Sequence, residues 1–292
     1  MKENNERLKT ASRLKNWIAC NYTTINEINK KELKKKESST TEKIRKERGD
    51  EFEEKIYKEL ITQYPNHIKI NKNEDRFEKT KEALKKGYDL IHKAHFKYDG
   101  WVGEIDFLIK DKSKKTKNGK WRYEVYDTKL SSVAKVDHIT QISLYSEWIT
   151  TQQDNELPDS MHLILNKKDK ERKNNRIKID AEIKTYKTQN YQLYFQFNKA
   201  NYIKFLDSDK KNAYPERCEF CALCDWSDVC EKKWLDDDHL NQIAKIRKEQ
   251  ISKIKKHGLK NLSEFAKIKE TEKIIDLRSS ILKKHLSQAK LL

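Results

Sequence analysis

The sequence predicts an α/β protein in which a mixed sheet is flanked by helices and followed by a small all-helical C-terminal segment. Apolar residues recur at helical spacing in the first part of the 292-residue chain and alternate with polar residues near its centre. After Asp236 the spacing is again helical, with interruptions that predict only short helices. We therefore expect one large domain with helical additions.

The helical spacing predicts a first helix over residues 11–34 and a second over 42–63, which Pro65 ends. The elements expected next are a strand at 67–71, a helix at 77–91, a hairpin at 94–110, a lysine-rich loop at 111–120, a strand at 121–130, a helix at 134–153, a strand at 160–166 and a helix at 185–207. The hairpin is expected to turn at Asp99–Gly100, because Asp-Gly favours tight turns between strands.

These elements divide the chain into four segments. They are an N-terminal helix that carries Cys20 (1–34), an α/β core (40–210), a cysteine cluster (214–235) and a basic helical tail (236–292). The formal net charge is +17, which favours a polyanionic partner because each neutralised phosphate releases counterions. A lysine-rich proteome would give the same excess, so charge alone does not decide between the two explanations.

No apolar stretch approaches the roughly 20 residues that span a bilayer. The start of the chain, Met1–Cys20, lacks the apolar segment of a signal peptide. We therefore expect a cytoplasmic protein without a membrane partner, in which thiols stay reduced. Five cysteines in that compartment are better explained as metal ligands or buried thiols than as disulfides.

Two neighbouring predicted strands carry acids, Asp106 at the end of Gly103–Asp106 and Asp127 two residues before Lys129. Strand residues two apart share a face, so Asp127 and Lys129 point the same way. Two carboxylates can hold Mg²⁺ or Mn²⁺, which generates hydroxide and shields the charge developing on a phosphate, while a lysine stabilises that charge. Thr128 offers a backbone carbonyl as a further ligand. Surface charges on strand ends would give the same triplet by chance.

The next predicted helix carries Gln141 and Tyr145, four residues apart and hence on one face. In order, these motifs resemble the G-x-x-D, D-x-K and Q-x-x-x-Y motifs of RecB-like nucleases of the PD-(D/E)XK superfamily. The resemblance implies a restriction-endonuclease-like sheet in which Asp106 and Asp127 bind metal and Lys129 is catalytic. It also implies that Gln141 and Tyr145 contact substrate or brace the site; ordinary helix packing is the alternative for these two.

The first helix of the nuclease core in that family supplies another metal ligand, commonly a histidine that a glutamate follows. Here Phe52 stands at the histidine position. Glu53 or Glu51 could take over, since a carboxylate is a hard oxygen ligand suited to Mg²⁺. We favour Glu53, which lies one turn before Tyr57.

Four of the five cysteines lie close together, and Cys221, Cys224 and Cys230 have the tight spacing C-x2-C-x5-C. Four cysteines generically predict zinc. RecB-like nucleases with an iron–sulphur cluster pair this motif with one N-terminal cysteine, so the resemblance implies a [4Fe–4S] cluster on Cys20, Cys221, Cys224 and Cys230. Cys218 would then be spare, whereas in a local zinc site it would replace Cys20. The cluster would close a loop of roughly 200 residues and stabilise the fold.

Residues 241–292 hold 14 Lys/Arg against 5 Asp/Glu, a net charge of +9. Within them, Ile251–Ala266 predicts two helices joined at His257–Leu259, similar to a helix-hairpin-helix in which Gly258 would present backbone amides to a phosphate. A plain helical hairpin with a solvated basic face is the alternative. The acids of Asp236–His239 are expected to cap the start of a helix.

Most of the chain, from Ser12–Cys20 to Asp237–Leu240 and the helical hairpin, resembles a bacterial subgroup of RecB-like proteins often fused to an RNase H-like domain or a helicase. The resemblance implies a metal-dependent nuclease that hydrolyses phosphodiester bonds of DNA rather than RNA, at single strands or ends, with a helicase as a candidate partner. The alternatives are a catalytically weak nucleic-acid-binding module and a structural subunit of a helicase–nuclease complex.

Overall fold

The chain forms two compact units. A computed structural model describes residues 9–37, 40–72, 75–167, 181–209, 213–269 and 271–292. The first unit consists of Met1–Ile18 and Ser39–Ser208, and the second of Ala19–Ser38 and Asp209–Leu292. The segment that follows Cys20 therefore joins the cysteine-rich segment in one unit, although almost two hundred positions separate them in the sequence.

The elements through the sheet are, in chain order, α1 (Ala11–Ala19), α2 (Tyr22–Ile28), α3 (Thr40–Gln63), β1 (His67–Lys69), α4 (Arg76–Lys86), β2 (Leu90–Tyr98), β3 (Trp101–Lys115), β4 (Trp121–Lys129), α5 (Val136–Gln152), β5 (Ser160–Asn166), β6 (Ala181–Lys187) and α6 (Gln192–Asp207). They are followed by α7 (Ser227–Asp236), α8 (Lys248–Lys256), α9 (Leu262–Ala266) and α10 (Ser279–Ala289). Short 3-10 turns lie at Thr188–Tyr191, Glu219–Leu223 and Leu240–Gln242.

The described strands form one mixed sheet in the order β1–β2–β3–β4–β5–β6. β1 pairs in parallel with β2, and β4 with β5, whereas the other neighbours are antiparallel. Helices α3 and α5 both pack against strands of this sheet. The structure confirms the expected α/β class. A mixed sheet is flanked by helices, and short helices follow it towards the C-terminus.

Helix α3 buries one side because its apolar residues recur at every fourth position. Phe52, Ile56 and Leu60 pack on Leu90 of β2 and Phe107 of β3. Phe52, which occupies the position where a metal-binding histidine would be expected, is therefore a core residue. Glu53 is the next residue along the helix and is also buried.

The hairpin of β2 and β3 turns at Asp99–Gly100, as the sequence predicts. Both residues have positive φ angles, +48° and +74°, which suit the right-handed twist of paired strands. The loop expected over 111–120 is wrong in part, because β3 continues to Lys115. Lysines of β3 lie over the ring of Trp121, so their apolar stems give this polar stretch something to pack against.

Three predicted helices have different bounds. The helix expected over 11–34 is divided into α1 and α2, with Cys20 at the break. The helix expected over 77–91 ends at Lys86, because Gly87 adopts a left-handed conformation and closes it. The start of the helix expected over 185–207 instead belongs to β6, which pairs with β5.

The second unit has a core of its own, formed by apolar residues of its helices and turns. Its buried members are Leu240, Ile243, Ile246, Ile251, Ile254, Leu262, Phe265, Ile274, Leu277, Leu282, Leu286 and Ala289. In sequence, the acids expected to cap the start of a helix end one instead, since α7 finishes at Asp236 and Asp237 is its C-cap. Asp238 nevertheless accepts the backbone N–H of Ser263, in the first turn of α9, at 3.0 Å. His239 caps the following 3-10 turn.

Within the ranges that the structure describes, every helix is too short or too polar to cross a membrane.

Candidate acidic site and cysteine site

The acids of β3 and β4 lie where these two strands stop pairing. The last pair in their ladder is Phe107 with Tyr126, and Asp106 and Asp127 occupy the next position along each strand. We call the cluster around them the acidic site. It comprises Glu53, His92, Lys93, Glu104, Asp106, Asp127, Lys129 and Gln141.

Asp106 is oriented by the neighbouring strand. Its Oδ2 accepts hydrogen bonds from the backbone N–H and the hydroxyl of Thr128, both at 2.7 Å. Burial, followed by the charges of Asp127 and Glu53, raises the pKa of Asp106 to about 7. Thr128 is therefore a positioning residue for Asp106, and its expected role as a carbonyl ligand stays a prediction.

Asp127 is fully buried and joins the lysine to helix α5. Its Oδ2 pairs with the ammonium group of Lys129, and its Oδ1 accepts a hydrogen bond from Gln141 Nε2 at 3.2 Å. The same amide group lies 2.8 Å from the hydroxyl of Tyr145. Burial raises the pKa of Asp127 in spite of Lys129. The shared strand face of Asp127 and Lys129, and the shared helix face of Gln141 and Tyr145, are thus confirmed.

Glu53 enters this cluster from helix α3. Its Oε1 lies 2.8 Å from Nε2 of His92, and its Oε2 lies 2.6 Å from Nζ of Lys93. Burial alone would raise the pKa of Glu53, but the bonds from His92 and Lys93 outweigh it and hold the pKa below its usual value. Glu51, the other candidate on this helix, is exposed.

Three residues of the site escape the sequence analysis: His92, Lys93 and Glu104. Lys93 pairs with both Glu53 and Glu104, the latter at 3.0 Å. It also has a φ angle of +61°, a conformation that costs a non-glycine residue roughly 1 kcal/mol or more. A signal was present, because His92 and Lys93 are two adjacent polar residues between the apolar residues Ile91 and Ala94. This signal was missed because the sequence predicted a helix as far as residue 91, which includes the first two residues of β2.

Gly103 of the G-x-x-D motif has a steric reason to be glycine. It pairs with Phe96 across the hairpin, and a Cβ atom at this position would lie 2.6 Å from the Phe96 ring. That ring stands edge-on to Tyr145, with centroids 5.6 Å apart. A groove of about 420 Å³ beside the site is lined by Gly103, Glu104 and Tyr145. A larger cavity of about 580 Å³ around Trp121 contains none of the acidic-site residues.

The acidic site matches Mg²⁺ or Mn²⁺ in charge and in donor type, because its carboxylates are hard oxygen ligands. In the described part of the chain, no three His, Cys, Asp or Glu side chains lie close enough together to hold a metal ion. The carboxylates are instead bonded to Lys93 and Lys129. A divalent ion would take the place of these ammonium groups, so the exchange conserves positive charge.

The cysteine site lies in the second unit and draws on three elements. Cys20 stands between α1 and α2, Cys218 to Cys224 surround a 3-10 turn, and Cys230 is on α7. Sγ of Cys218 lies 3.9 Å from Sγ of Cys221 and 3.9 Å from the carbonyl of Ala19. All five cysteines are free thiols. The structure thus brings Cys20 to the cysteine-rich segment, together with Cys218.

The sulphur atoms receive N–H groups that favour a thiolate. The backbone N–H of Cys218 points to Sγ of Cys221, and that of Trp226 to Sγ of Cys224, each at 3.4 Å. Asn26 Nδ2 lies 3.8 Å from Sγ of Cys230. Burial is the largest influence on Cys230 and raises its pKa to about 12. This donor set suits a thiophilic metal or an iron–sulphur cluster, which would remove the cost of ionising the thiols.

Helix α2 is anchored beside this site by a buried glutamate. Glu27 accepts a hydrogen bond from the indole N–H of Trp226 at 3.1 Å and pairs with Lys35 at 3.0 Å. Lys36 donates its backbone N–H to the carbonyl of Asp225 at 2.9 Å. These bonds fix the two segments of the second unit to each other without a metal.

Gly258, the remaining predicted site residue, follows helix α8 with a φ angle of +95°. The space around it is open, since a Cβ atom there would meet nothing within 4 Å. The conformation, and not crowding, therefore requires glycine.

Comparison of the chain with protein-family models and with curated proteins gives no match. The geometry of the two sites therefore carries the functional argument.

Proposed function

We propose that this protein is a divalent-metal-dependent nuclease with a restriction-endonuclease-like core. One observation carries the proposal: Glu53, Asp106, Asp127, Lys129 and Gln141 converge from two helices and two strands. Asp127 bonds both Lys129 and Gln141, and the charges of Asp127 and Glu53 act on Asp106. Nothing in core packing alone requires three carboxylates and a lysine to be brought together where two strands diverge. Metal-dependent phosphodiester hydrolysis uses such a cluster.

Glu53, Asp106 and Asp127 would hold Mg²⁺ or Mn²⁺, with the carbonyl of Thr128 as a further ligand. The bound ion would act as a Lewis acid at the phosphate and lower the pKa of the attacking water. Thr128 fixes the carboxylate of Asp106, and Gln141 fixes that of Asp127. These bonds leave little reorganisation for the carboxylates to undergo.

Lys129 would be released from Asp127 when a divalent ion binds there. Its ammonium group would then stabilise the charge that develops on the phosphate, or orient water. Burial lowers the pKa of Lys129, but Asp127 and Asp106 outweigh it and raise the pKa, so the group stays charged at neutral pH. Tyr145 lines the adjacent groove and would contact substrate there.

We propose DNA as the substrate in preference to RNA, at single strands or ends, and a helicase as a candidate partner. The net charge of +17 supports a polyanionic substrate. We further propose that Cys20, Cys221, Cys224 and Cys230 hold a [4Fe–4S] cluster that stabilises the second unit. The alternative is a zinc ion, with Cys218 in place of Cys20 as the fourth ligand.

The cluster assignment is tested by the colour and iron content of anaerobically purified protein. An iron–sulphur protein absorbs broadly near 400 nm, whereas a zinc protein is colourless. We expect Cys20→Ser to lose the absorbance and Cys218→Ser to keep it. The opposite result, with zinc bound and Cys20→Ser unaffected, would assign the site to zinc.

The nuclease assignment is tested by cleavage of end-labelled single- and double-stranded DNA in Mg²⁺ or Mn²⁺. We expect Asp127→Ala and Lys129→Ala to bind DNA normally but to cut at least about a hundredfold more slowly. Asp111→Ala is the matched control, because Asp111 is an acid of the neighbouring strand β3 whose side chain, among the described residues, hydrogen-bonds to Ser113. Its rate should stay within about twofold of the original rate.

A nucleic-acid-binding module is the second candidate, favoured by one observation. Lys93 and Lys129 already pair with Glu53 and Asp127, so two of the three carboxylates proposed to bind metal have a counter-charge without it. If the protein binds DNA but cuts neither DNA nor RNA in either metal, this second function replaces the first.

A further inference from the structure

The second unit contains a surface cavity of about 480 Å³ with basic walls. Its cationic side chains are Arg217, Lys248, Lys255 and Lys256. One carboxylate, Glu216, also lines it and pairs with Lys248 at 2.9 Å. Both partners of this ion pair are largely exposed, so the pair is weak and leaves the cavity positive.

At the wall of this cavity, His239 and Lys255 face each other. His239 Nδ1 accepts the backbone N–H of Asn241 at 3.1 Å. Because a peptide N–H can only donate, the neutral ring carries its proton on Nε2. Nε2 lies 2.9 Å from Nζ of Lys255. Two donors therefore point at each other without an acceptor between them.

Ionising the imidazole ring would not resolve this conflict, because a protonated ring also donates from Nε2. Burial, with Lys255 nearby, lowers the pKa of His239 to about 4, so the ring is neutral at pH 7. The ring of Tyr214 lies 4.6 Å away, and its hydroxyl donates to Asp237 at 2.8 Å. Lys255 forms no ion pair with a carboxylate in the described ranges.

The guanidinium group of Arg217, which also lines this cavity, is fixed in position by two contacts. Its Nε donates to the carbonyl of Asn241 at 3.0 Å, and its guanidinium carbon lies 4.8 Å from the Trp234 ring centroid. Such anchoring fixes the plane of the guanidinium group and leaves its terminal nitrogens to the cavity. Arginine in this state is well suited to a phosphate, which accepts several hydrogen bonds at once.

We propose that this cavity binds a backbone phosphate of a nucleic-acid strand, with one phosphate oxygen accepting from both His239 and Lys255. An acceptor between these two donors removes their conflict, and Arg217 and Lys256 bind the remaining oxygens. Naming a nucleic-acid strand as the source of the phosphate rests on the proposed function. The net charge of +9 over residues 241–292 supports a strand over a free phosphate. Gly258 is not among the residues that line the cavity.

The test compares two lysine substitutions in the full-length protein. Lys255→Gln removes a charge inside the cavity, and Lys283→Gln removes one from an exposed position of α10 outside it. Binding of a fluorescent single-stranded oligonucleotide is measured by anisotropy over a salt series, without added divalent metal. We expect Lys255→Gln to weaken binding about tenfold and reduce the salt dependence by about one counterion, whereas Lys283→Gln changes affinity less than twofold.

A second arm uses inorganic phosphate as a competitor and Lys255→Arg as a rescue. Phosphate should displace the oligonucleotide more readily from the original protein than from Lys255→Gln, and Lys255→Arg should retain binding. Equal losses of oligonucleotide affinity in Lys255→Gln and Lys283→Gln would refute the phosphate site in this cavity. They would not bear on the proposed nuclease activity. If binding depends on Lys255 but no cleavage is seen, the phosphate site is supported and the proposed nuclease activity is refuted. Phosphate binding at His239 without any affinity for strands would overturn the strand assignment.

Discussion

The acidic site of the first unit and the cysteine site of the second both bury ionisable groups, but they neutralise them differently. In the acidic site, Lys93 and Lys129 place ammonium groups against the carboxylates of Glu53 and Asp127. The sulphur atoms of the cysteine site have amide groups, a carbonyl and another thiol as their hydrogen-bond partners in the described residues. The first site can therefore stay folded without a metal. The second depends on a bound metal or on protonated thiols.

Metal removal should consequently have its largest effect in the second unit. A structural metal contributes roughly 10 kcal/mol in small zinc domains, and a cluster that ties Cys20 to the cysteine-rich segment should act on a comparable scale. We expect chelation of the proposed cluster to lower protection from hydrogen exchange most over the cysteine-rich segment, residues 214–235, measured by mass spectrometry, and to leave β2 to β5 protected. Withholding Mg²⁺ alone is the control and should change neither region. Equal loss of protection in both units would show that the cluster supports the whole chain.

Loss of a built-in cation should have the next largest effect, within the first unit. Lys129→Gln leaves Asp127 buried without its counter-charge, which costs roughly 3–5 kcal/mol when one partner of a buried pair is removed. Urea denaturation without metal should show this loss, and Mn²⁺ should restore part of it by supplying the missing charge. Lys129→Arg keeps the charge and serves as the control. A loss that is the same with and without Mn²⁺ would contradict the exchange of lysine for metal.

The difference between the sites also explains what the sequence could predict. Asp127 and Lys129 are two apart on a strand, and Gln141 and Tyr145 are four apart on a helix. Local periodicity therefore places each pair on one face, and the structure confirms both contacts. Lys93 reaches Glu53 through a strand pairing and a left-handed residue, neither of which has a local pattern. The position of Cys218 beside Cys20 likewise depends on contacts distant in sequence.

Lys93, which the sequence did not predict as a site residue, gives a third test of the difference between the acidic site and the cysteine site. Lys93→Gln leaves Glu53 with His92 alone, and we expect a loss of roughly 2 kcal/mol in metal-free protein. Mn²⁺, followed by calorimetry, should bind several-fold more tightly, because a competing cation has been removed. Lys69→Gln is the matched control, since Lys69 pairs with the exposed Glu54 at 2.8 Å. Its stability should change by less than about 0.5 kcal/mol. Weaker Mn²⁺ binding by Lys93→Gln would mean that Lys93 orients Glu53 rather than competing for it.

The smallest expected effects separate the glycines of the two units. In Gly103→Ala the new methyl group meets the buried Phe96 ring, which overpacking of a core penalises by about 2 kcal/mol. In Gly258→Ala the space is open and only the φ angle of +95° is penalised, by about 1 kcal/mol. Adding Phe96→Leu should recover stability in Gly103→Ala and should do nothing for Gly258→Ala. Cleavage should fall only in Gly103→Ala, because a displaced Phe96 ring presses on Tyr145 beside the acidic site. If both alanine variants lose the same stability and Phe96→Leu rescues neither, backbone conformation limits both positions, and Gly103 has no special link to the site.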